Sequence, residues 1–159
     1  MKRKIAMITG ATSGIGEACA RRFAASGYDL ILTGRNTAKL ESLKESLAGE
    51  TEVITLAFDV RDSDAAAAAV GSLQDKWSEV DVLVNNAGLA LGLEKEYEGN
   101  PEDWWTMIDT NIKGLLTMTR LVVPGMVERN SGHVINIGSV AGDQAYAGGN
   151  VYCATKSAV

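Results

Sequence analysis

Short apolar segments alternate along the chain with longer segments in which apolar residues recur every three or four positions. The short segments have the length of buried β-strands and are bounded by glycine or polar residues, whereas the longer spacing is typical of amphipathic helices. This pattern predicts strands at 5–9, 30–33, 53–58, 80–84 and 134–137, with a helix after each.

The predicted helices each have one apolar face. Pro101 is well placed to open the fourth and longest of them, and the last begins near Asn150. The apolar faces of the first four consist of Ile15, Cys19 and Phe23; Leu40, Leu43 and Leu47; Val70, Leu73 and Trp77; and Trp104, Ile108, Ile112 and Leu115.

Alternation of nearly continuous apolar strands with helices predicts a parallel sheet covered by helices on both faces, a Rossmann-type doubly wound α/β fold. A length of 159 residues suits a single domain, residues 1–159. In such sheets a ligand binds outside the carboxyl ends of the strands, where the strand order reverses. The motifs described below all follow predicted strands, so we expect them to meet at that edge.

Charge and composition narrow the class of function. The net charge is -5 without a basic cluster, which argues against nucleic-acid binding. No apolar run approaches the roughly 20 residues of a membrane span. The two cysteines, Cys19 and Cys153, fit no metal-binding spacing, so we predict no metal. Their small number favours a reducing compartment, and we predict the cytoplasm.

A glycine-rich turn joins the first predicted strand to the first predicted helix. Glycines allow the backbone to approach a pyrophosphate, and the helix N-terminus adds amide donors and the positive end of a dipole. A tight turn without a ligand is the alternative interpretation. The residues predicted to contact a dinucleotide here are Gly10, Thr12, Ser13, Gly14, Ile15 and Gly16.

The end of the second predicted strand indicates which nicotinamide is used. NAD enzymes carry an acidic residue there for the ribose 2′-hydroxyl, but this chain has Gly34 and Arg35. A guanidinium group can bind a 2′-phosphate through two parallel hydrogen bonds. We therefore predict NADP as the cofactor; the alternative is that Arg35 is a solvated turn residue.

Three residues near the C-terminus have the chemistry of a dehydrogenase. Tyr152 and Lys156 are four positions apart and so share a helix face. A nearby ammonium group and a positive nicotinamide ring favour the phenolate, which can take a proton from an alcohol as hydride leaves. Ser139, just after the fifth predicted strand, is placed to hydrogen-bond the same substrate oxygen.

In order along the chain, the motifs Thr-Gly-x-x-x-Gly-x-Gly at 9–16, Asn-Asn-Ala-Gly at 85–88 and Tyr-x-x-x-Lys at 152–156 resemble the short-chain dehydrogenase/reductase family. The likeness covers essentially the whole chain. It implies that Asn111 is a fourth catalytic residue, which holds a water linking the lysine to solvent. It also implies that the adenosine part of the cofactor is contacted by Asp59, Val60, Asn86, Ala87 and Gly88, and that Tyr152 and Lys156 contact the cofactor too.

Segments 88–92, 105–111, 124–130 and 146–152 resemble a branch of NADP-dependent 3-hydroxy acid dehydrogenases that oxidise serine and L-allo-threonine. That resemblance implies small 3-hydroxy acid substrates and a homotetramer. Alternatives are another short-chain reductase, such as a 3-oxoacyl carrier-protein reductase or a sugar or polyol dehydrogenase, and a non-catalytic NADPH-binding module.

Members of the family continue well beyond the Tyr-x-x-x-Lys motif, through two more strands and a loop that closes over the substrate. We therefore expect this chain to be the incomplete, truncated form of such a domain, with the C-terminal strands missing. We also expect residues 1–159, taken alone, to lack turnover.

Overall fold

The computed structural model describes residues 3–159. Within that range five strands form one sheet in the order β3-β2-β1-β4-β5, and each neighbouring pair is parallel. The ends of every predicted strand are within two residues of the observed ones, and the predicted doubly wound parallel sheet is confirmed. The strands are β1 (Ile5–Ile8), β2 (Asp29–Gly34), β3 (Val53–Ala57), β4 (Val82–Asn85) and β5 (His133–Asn136).

The helices alternate with these strands along the chain. No helix in the described range is both long enough and apolar enough to cross a bilayer. The helices are α1 (Gly14–Ala25), α2 (Thr37–Leu47), α3 (Ser63–Gly71), α4 (Pro101–Ile108), α5 (Leu115–Glu128) and α6 (Asn150–Ala158). Short 3-10 turns occur at Asp75–Ser78, Glu96–Glu98 and Val140–Gly142, and a π-helical segment, Asp109–Gly114, joins α4 to α5.

Side chains of the central strand alternate between two hydrophobic cores, because successive residues of a strand point to opposite faces of the sheet. Ala6 and Ile8 belong to the core that includes the leucines of α2 and the small residues of α1. Ile5 and Met7 belong to the core that includes Ala66 of α3 and the apolar face of α5. Helices thus cover both faces, and the edges of the sheet are left for polar groups.

Polar residues fix where several helices begin. Asn36 Oδ1 accepts from the Lys39 amide at 3.0 Å at the start of α2, and Asp62 Oδ1 accepts from the Ala65 amide at 3.0 Å at the start of α3. Asn100 caps α4, in which Pro101 occupies the first turn. Such caps satisfy amides that have no partner inside the helix and so fix the loops that precede each helix.

The buried face of α1 differs from the predicted one. Gly16, Ala20 and Ala24 face the sheet, whereas Ile15 is 59% exposed. The predicted face is offset by one residue from the buried one. The helix lies close to the strands, and only small residues fit between them. Cys19 and Phe23 pack at the side of this contact and are partly buried.

The long helix predicted from Pro101 is interrupted by the π-helical segment. Trp104, Ile108 and Ile112 were predicted to share the buried face, but the most buried residues there are Met107 and Asn111. A π turn contains an additional residue, which rotates the inward face of the helix. Met107 and Asn111 are four residues apart, so the polar Asn111 side chain continues the buried face that Met107 begins.

The third predicted helix is shorter than its apolar spacing suggested. It ends at Gly71, so that Leu73 follows it and Trp77 lies in the 3-10 turn. Asp75 has a φ of +51°, a left-handed conformation that a continuing α-helix does not contain. Val70, Leu73 and Trp77 still pack against the core between the sheet, α3 and α5.

Candidate active site

A cleft of about 420 Å³ opens at the carboxyl edge of the sheet and is lined by residues that follow β1, β2, β3, β4 and β5. The strand order reverses in the middle of this edge, because the chain builds outward from β1 to β3 and then resumes on the other side of β1 with β4. Connections diverge at such a point and leave a crevice, which is where ligands bind in open α/β sheets.

Most residues predicted to bind a dinucleotide line this cleft. Gly16 does not, being buried in α1, and neither Ser139 nor Asn111 is part of the cleft wall. The predicted residues in the wall are Gly10, Thr12, Ser13, Gly14, Ile15, Arg35, Asp59, Val60, Asn86, Ala87, Gly88, Tyr152 and Lys156.

The glycine-rich turn packs closely against the loop that follows β4. Gly10 has a φ of +65°, and a β-carbon at that position would lie 3.0 Å from the Ala87 Cα. A β-carbon on Gly16 would overlap the Gly10 carbonyl oxygen and lie 2.5 Å from Asn86 Nδ2. Gly10 is therefore required by conformation and contact together, while Gly16 is required by packing beneath the turn.

The first turn of α1 has no side-chain cap. Ser13 occupies the N-cap position, but its hydroxyl accepts no hydrogen bond from the helix, in contrast to the capped starts of α2, α3 and α4. Ser13, Gly14 and Ile15 all line the cleft. Backbone amides at such a terminus carry a partial positive charge and bind phosphate groups, so this part of the cleft fits a pyrophosphate.

Thr9 and Asn86 join the ends of β1 and β4. The Thr9 hydroxyl accepts from the Asn86 and Ala87 amides, both at 3.0 Å. In return, Asn86 Nδ2 donates to the carbonyl oxygens of Thr9 at 2.9 Å and Gly10 at 3.1 Å. These bonds hold the two loops that form the centre of the cleft in a fixed relation.

Three charged residues meet at the ends of β2 and β3. The Arg61 side chain donates to both carboxylate oxygens of Asp59, with Nη2 2.7 Å and Nε 3.0 Å from Oδ2. These hydrogen bonds hold the pKa of the Asp59 carboxyl below its usual value. Arg35 lies farther away, with Nη1 3.9 Å from Asp59 Oδ2, and its side chain is 65% exposed. Its guanidinium group is thus accessible to an anion entering the cleft.

Lys156 is held in the cleft wall by a backbone carbonyl group. Its Nζ donates to the Ile137 carbonyl oxygen at 2.8 Å, and a β-carbon on Gly88 would lie 3.5 Å from that nitrogen. Burial of the ammonium group lowers the pKa of Lys156. Tyr152, one turn earlier on α6, lines the same cleft, as the four-residue spacing predicts.

Ser139 lies just after β5, at the start of the 3-10 turn Val140–Gly142. Its Oγ accepts from the Ala141 amide at 3.2 Å. A hydroxyl that accepts one hydrogen bond keeps its own hydrogen available for donation.

Asn111 connects the loop after β4 to α6. Its Oδ1 accepts from the Leu89 amide at 2.9 Å, and its Nδ2 donates to the Leu89 carbonyl oxygen at 2.9 Å. The same Nδ2 donates to Thr155 Oγ1 at 3.0 Å, and that hydroxyl donates to the Tyr152 carbonyl oxygen at 2.8 Å. Asn111 is only 2% exposed, so the helix that carries Tyr152 and Lys156 is tied to the cleft by buried bonds.

The sequence analysis did not identify several residues of the cleft wall. Most are adjacent in sequence to a predicted site residue, so extending each motif by one or two positions at the end of its strand would have included them. They are Gly34, Phe58, Leu89, Ala90, Thr110, Ile137 and Gly138. Arg61 and Thr155 were also missed, and only their side-chain contacts in the folded chain reveal them.

Residues 4–159 match the family model described as short chain dehydrogenase. A curated relative from Salmonella typhi, named NADP-dependent 3-hydroxy acid dehydrogenase YdfG, is 57% identical over 155 residues, which is 98% of this chain and 62% of the relative. The chain thus spans about 62% of the length of curated relatives that carry this name.

Two solved structures of serine dehydrogenase resemble this fold. The enzyme from Escherichia coli is 53% identical with a TM-score of 0.90, over 96% of this chain and 69% of the other. The closed form of a serine dehydrogenase complexed with NADP+ is 54% identical with a TM-score of 0.91, over 96% of this chain and 61% of the other.

Proposed function

The chain belongs to the short-chain dehydrogenase family, and on that premise we propose that it is the dinucleotide-binding domain of an NADP-dependent oxidoreductase. The proposed reaction moves a hydride between NADP and the carbon that bears the β-hydroxyl of a small 3-hydroxy acid. One observation carries the proposal: the glycine-rich turn, Arg35, Tyr152 and Lys156 line a single cleft. A 57% identical relative named for this activity supports it.

The cleft has the groups that NADP requires. The uncapped amides of α1 would bind the pyrophosphate, and the exposed guanidinium of Arg35 would bind the 2′-phosphate. Asp59 and Val60 would lie against the adenine, and the loop at 86–88 against its ribose. NAD has no 2′-phosphate, so it would lose the interaction with Arg35.

Tyr152 is the proposed general acid and base. During oxidation its phenolic oxygen takes the proton of the substrate hydroxyl, while the carbon–oxygen bond becomes a carbonyl; during reduction it returns that proton. When bound, NADP supplies the acceptor or donor of the hydride. Lys156 lies one turn after Tyr152 on α6 and lines the same cleft. Because burial lowers the pKa of Lys156, its amine can also release and regain a proton more readily.

Ser139 and Asn111 support this chemistry in different ways. The Ser139 hydroxyl, which already accepts from the Ala141 amide, would donate its hydrogen to the substrate oxygen and stabilise charge there. Asn111 would hold a water that links Lys156 to solvent. Both amide hydrogens of Asn111 are already donated to Leu89 and Thr155, so this water would donate to an oxygen of Asn111.

The proposed function is tested by assaying the full-length protein for NADPH formation with L-allo-threonine and serine, with NAD in parallel. We expect turnover with both hydroxy acids and a clear preference for NADP. Binding of NADPH with no turnover on 3-hydroxy acids would favour a non-catalytic nucleotide-binding module. Turnover restricted to acyl-carrier substrates or polyols would favour a different short-chain reductase.

Exposed apolar residues on α4 and α5 favour a homo-oligomer, which we propose is a tetramer. Trp105, Leu116 and Val127 are 56%, 60% and 71% exposed and follow one another at intervals of about three helical turns. A second copy of the protein would remove this surface from water. Light scattering after size-exclusion chromatography should give the mass of four copies, and a monomer would exclude the proposal.

We also propose that the protein works in the cytoplasm. Cys19 and Cys153 are both free thiols, which a reducing compartment preserves. Fractionation of the source cells should place the protein with cytoplasmic markers, and recovery in an oxidising compartment would contradict this.

A further inference from the structure

The Asp59 carboxylate lies between two guanidinium groups that hold it very unequally. Arg61 donates to it through Nε and Nη2, at distances of 2.7 to 3.1 Å, and also through its backbone amide at 3.0 Å. Arg35 reaches the same carboxylate only at 3.9 Å. Asp59 and Arg61 therefore form a compact pair within the turn after β3, and Arg35 lies outside that pair.

The other nearby carboxylates in the described range, Asp62 and Asp109, do not pair with Arg35. Asp62 is used as the cap of α3, where it accepts from the Asp64 and Ala65 amides. Asp109, in the π-helical segment, is close enough for its charge to favour the charged form of Arg61. Because the Arg61 guanidinium is paired with Asp59, Arg35 is the guanidinium better placed to accept a phosphate.

Without Arg61, the Asp59 carboxylate would have Arg35 as its nearest cation. The two side chains would pair more closely, because opposite charges a few ångströms apart attract each other strongly in a partly buried site. Arg35 would then be drawn away from the ribose position, and the uncompensated carboxylate would repel a 2′-phosphate.

We propose that Arg61 is a specificity-determining residue for NADP over NAD, acting as a positioning residue through Asp59 and Arg35. By saturating the Asp59 carboxylate, it keeps Arg35 available to the 2′-phosphate without contacting that phosphate itself. The inference rests on the proposed function, since it takes the nucleotide to be NADP.

The test compares dissociation constants for NADPH and NADH in the full-length protein, measured by calorimetry without turnover. Arg61→Gln should lower the ratio of the NADH constant to the NADPH constant roughly fivefold, the size expected for a partly exposed ion pair. Arg22→Gln, which removes an exposed charge in the last turn of α1, should leave the ratio unchanged. An unaltered NADH constant in Arg61→Gln would show that the variant is folded.

The double variant Asp59→Asn/Arg61→Gln separates an indirect role from a direct one. If Arg61 acts by neutralising Asp59, removal of both charges should restore the ratio of the unsubstituted protein. Any effect of Asp59→Asn on adenine binding falls on both nucleotides and cancels in the ratio. Arg61→Lys, which keeps the charge, should retain most of the preference and serves if Arg61→Gln does not fold.

Two results would overturn the proposal: an unchanged ratio in Arg61→Gln, or an equally lowered ratio in the single and double variants. The second would mean that Arg61 contacts the phosphate directly. Failure of the proposed function is distinguishable, because the unsubstituted protein would then show no preference for NADPH over NADH in the first place.

Discussion

Asp29 and Arg35, which lie at the two edges of the parallel sheet, differ in burial and in pairing. At the amino edge, Asp29 opens β2 and is 2% exposed, with Oδ1 accepting from Thr51 Oγ1 at 2.8 Å and Oδ2 from Lys76 Nζ at 2.9 Å. At the carboxyl edge, Arg35 is largely exposed, with Nη1 3.9 Å from Asp59 Oδ2. Asp29 at the amino edge is thus buried in a set of close contacts, whereas Arg35 at the carboxyl edge remains accessible.

This difference separates a structural use of charge from a binding use. Burial alone would raise the pKa of Asp29, but hydrogen bonds from Lys76, Thr51 and the Glu52 amide outweigh it and hold that pKa below its usual value. Lys156, at the other edge, has its pKa lowered by burial. A buried charge pair makes the fold sensitive to the loss of either partner, whereas an accessible or incompletely compensated charge keeps the capacity to bind a ligand or move a proton.

The largest expected effect comes from Tyr152→Phe at the carboxyl edge. Loss of the phenolic oxygen removes the proposed acid and base, so turnover of L-allo-threonine by the full-length protein should fall roughly 10²- to 10⁴-fold. The NADPH dissociation constant and the urea midpoint should change little, because the ring is retained. Steady-state kinetics, calorimetry and urea unfolding measure the three quantities.

Tyr146→Phe is the matched control for that variant, since Tyr146 is 47% exposed and lies outside the cleft wall. It should keep normal turnover. If Tyr152→Phe retained turnover, Tyr152 would not be the acid and base. The catalytic role assigned to the carboxyl edge would then be wrong.

Gly16→Ala should show that the carboxyl edge also contains a strictly structural position. A β-carbon there overlaps the Gly10 carbonyl oxygen, which belongs to backbone and cannot rotate away. We expect the free energy of unfolding in urea to fall by about 3 kcal/mol and NADPH binding to weaken as the turn shifts.

Gly49→Ala provides the comparison for that substitution, because nothing lies within 4 Å of a β-carbon at Gly49. Its free energy of unfolding should stay within about 0.5 kcal/mol of the unsubstituted value. Equal stability of the two variants would mean that the turn can move to accept the methyl group.

Features that depend on neighbouring residues in the sequence could be predicted. The strands, the strand-to-helix glycine turn and the Tyr152–Lys156 spacing each depend on a short segment, so period and motif suffice. Arg35 was identified because its position relative to the glycine turn is fixed by one βαβ unit.

Features that depend on contacts between distant segments could not be predicted. Asp29 and Lys76 are 47 positions apart, and Asn111 and Thr155 are 44 apart. The buried face of α1 was misjudged because Ile15 satisfies the helical period yet lies at the cleft. A π turn leaves no clear signal in hydrophobic spacing, so the interruption between α4 and α5 was also not predicted.

Asp29→Asn at the amino edge should have a smaller effect than Tyr152→Phe or Gly16→Ala. The effect should be on stability alone. The amide keeps the size of the side chain but leaves Lys76 with Glu52 as its remaining carboxylate partner, so we expect a loss of about 2 kcal/mol in the free energy of unfolding at neutral pH. Glu52→Gln, which removes the 70% exposed carboxylate beside the same lysine, should cost only about 0.3 kcal/mol.

The contribution of Asp29 to stability should depend on pH. The folded pKa of Asp29 is below its ordinary value of 3.8, so its contribution to stability is complete above that pH and is lost as the pH falls through the folded pKa. The difference in unfolding free energy between the unsubstituted protein and Asp29→Asn should therefore be largest near neutrality and shrink under strongly acidic conditions. A difference that persisted at the lowest pH would assign the loss to altered packing, and an effect on NADPH binding would mean that the two edges are coupled through the sheet.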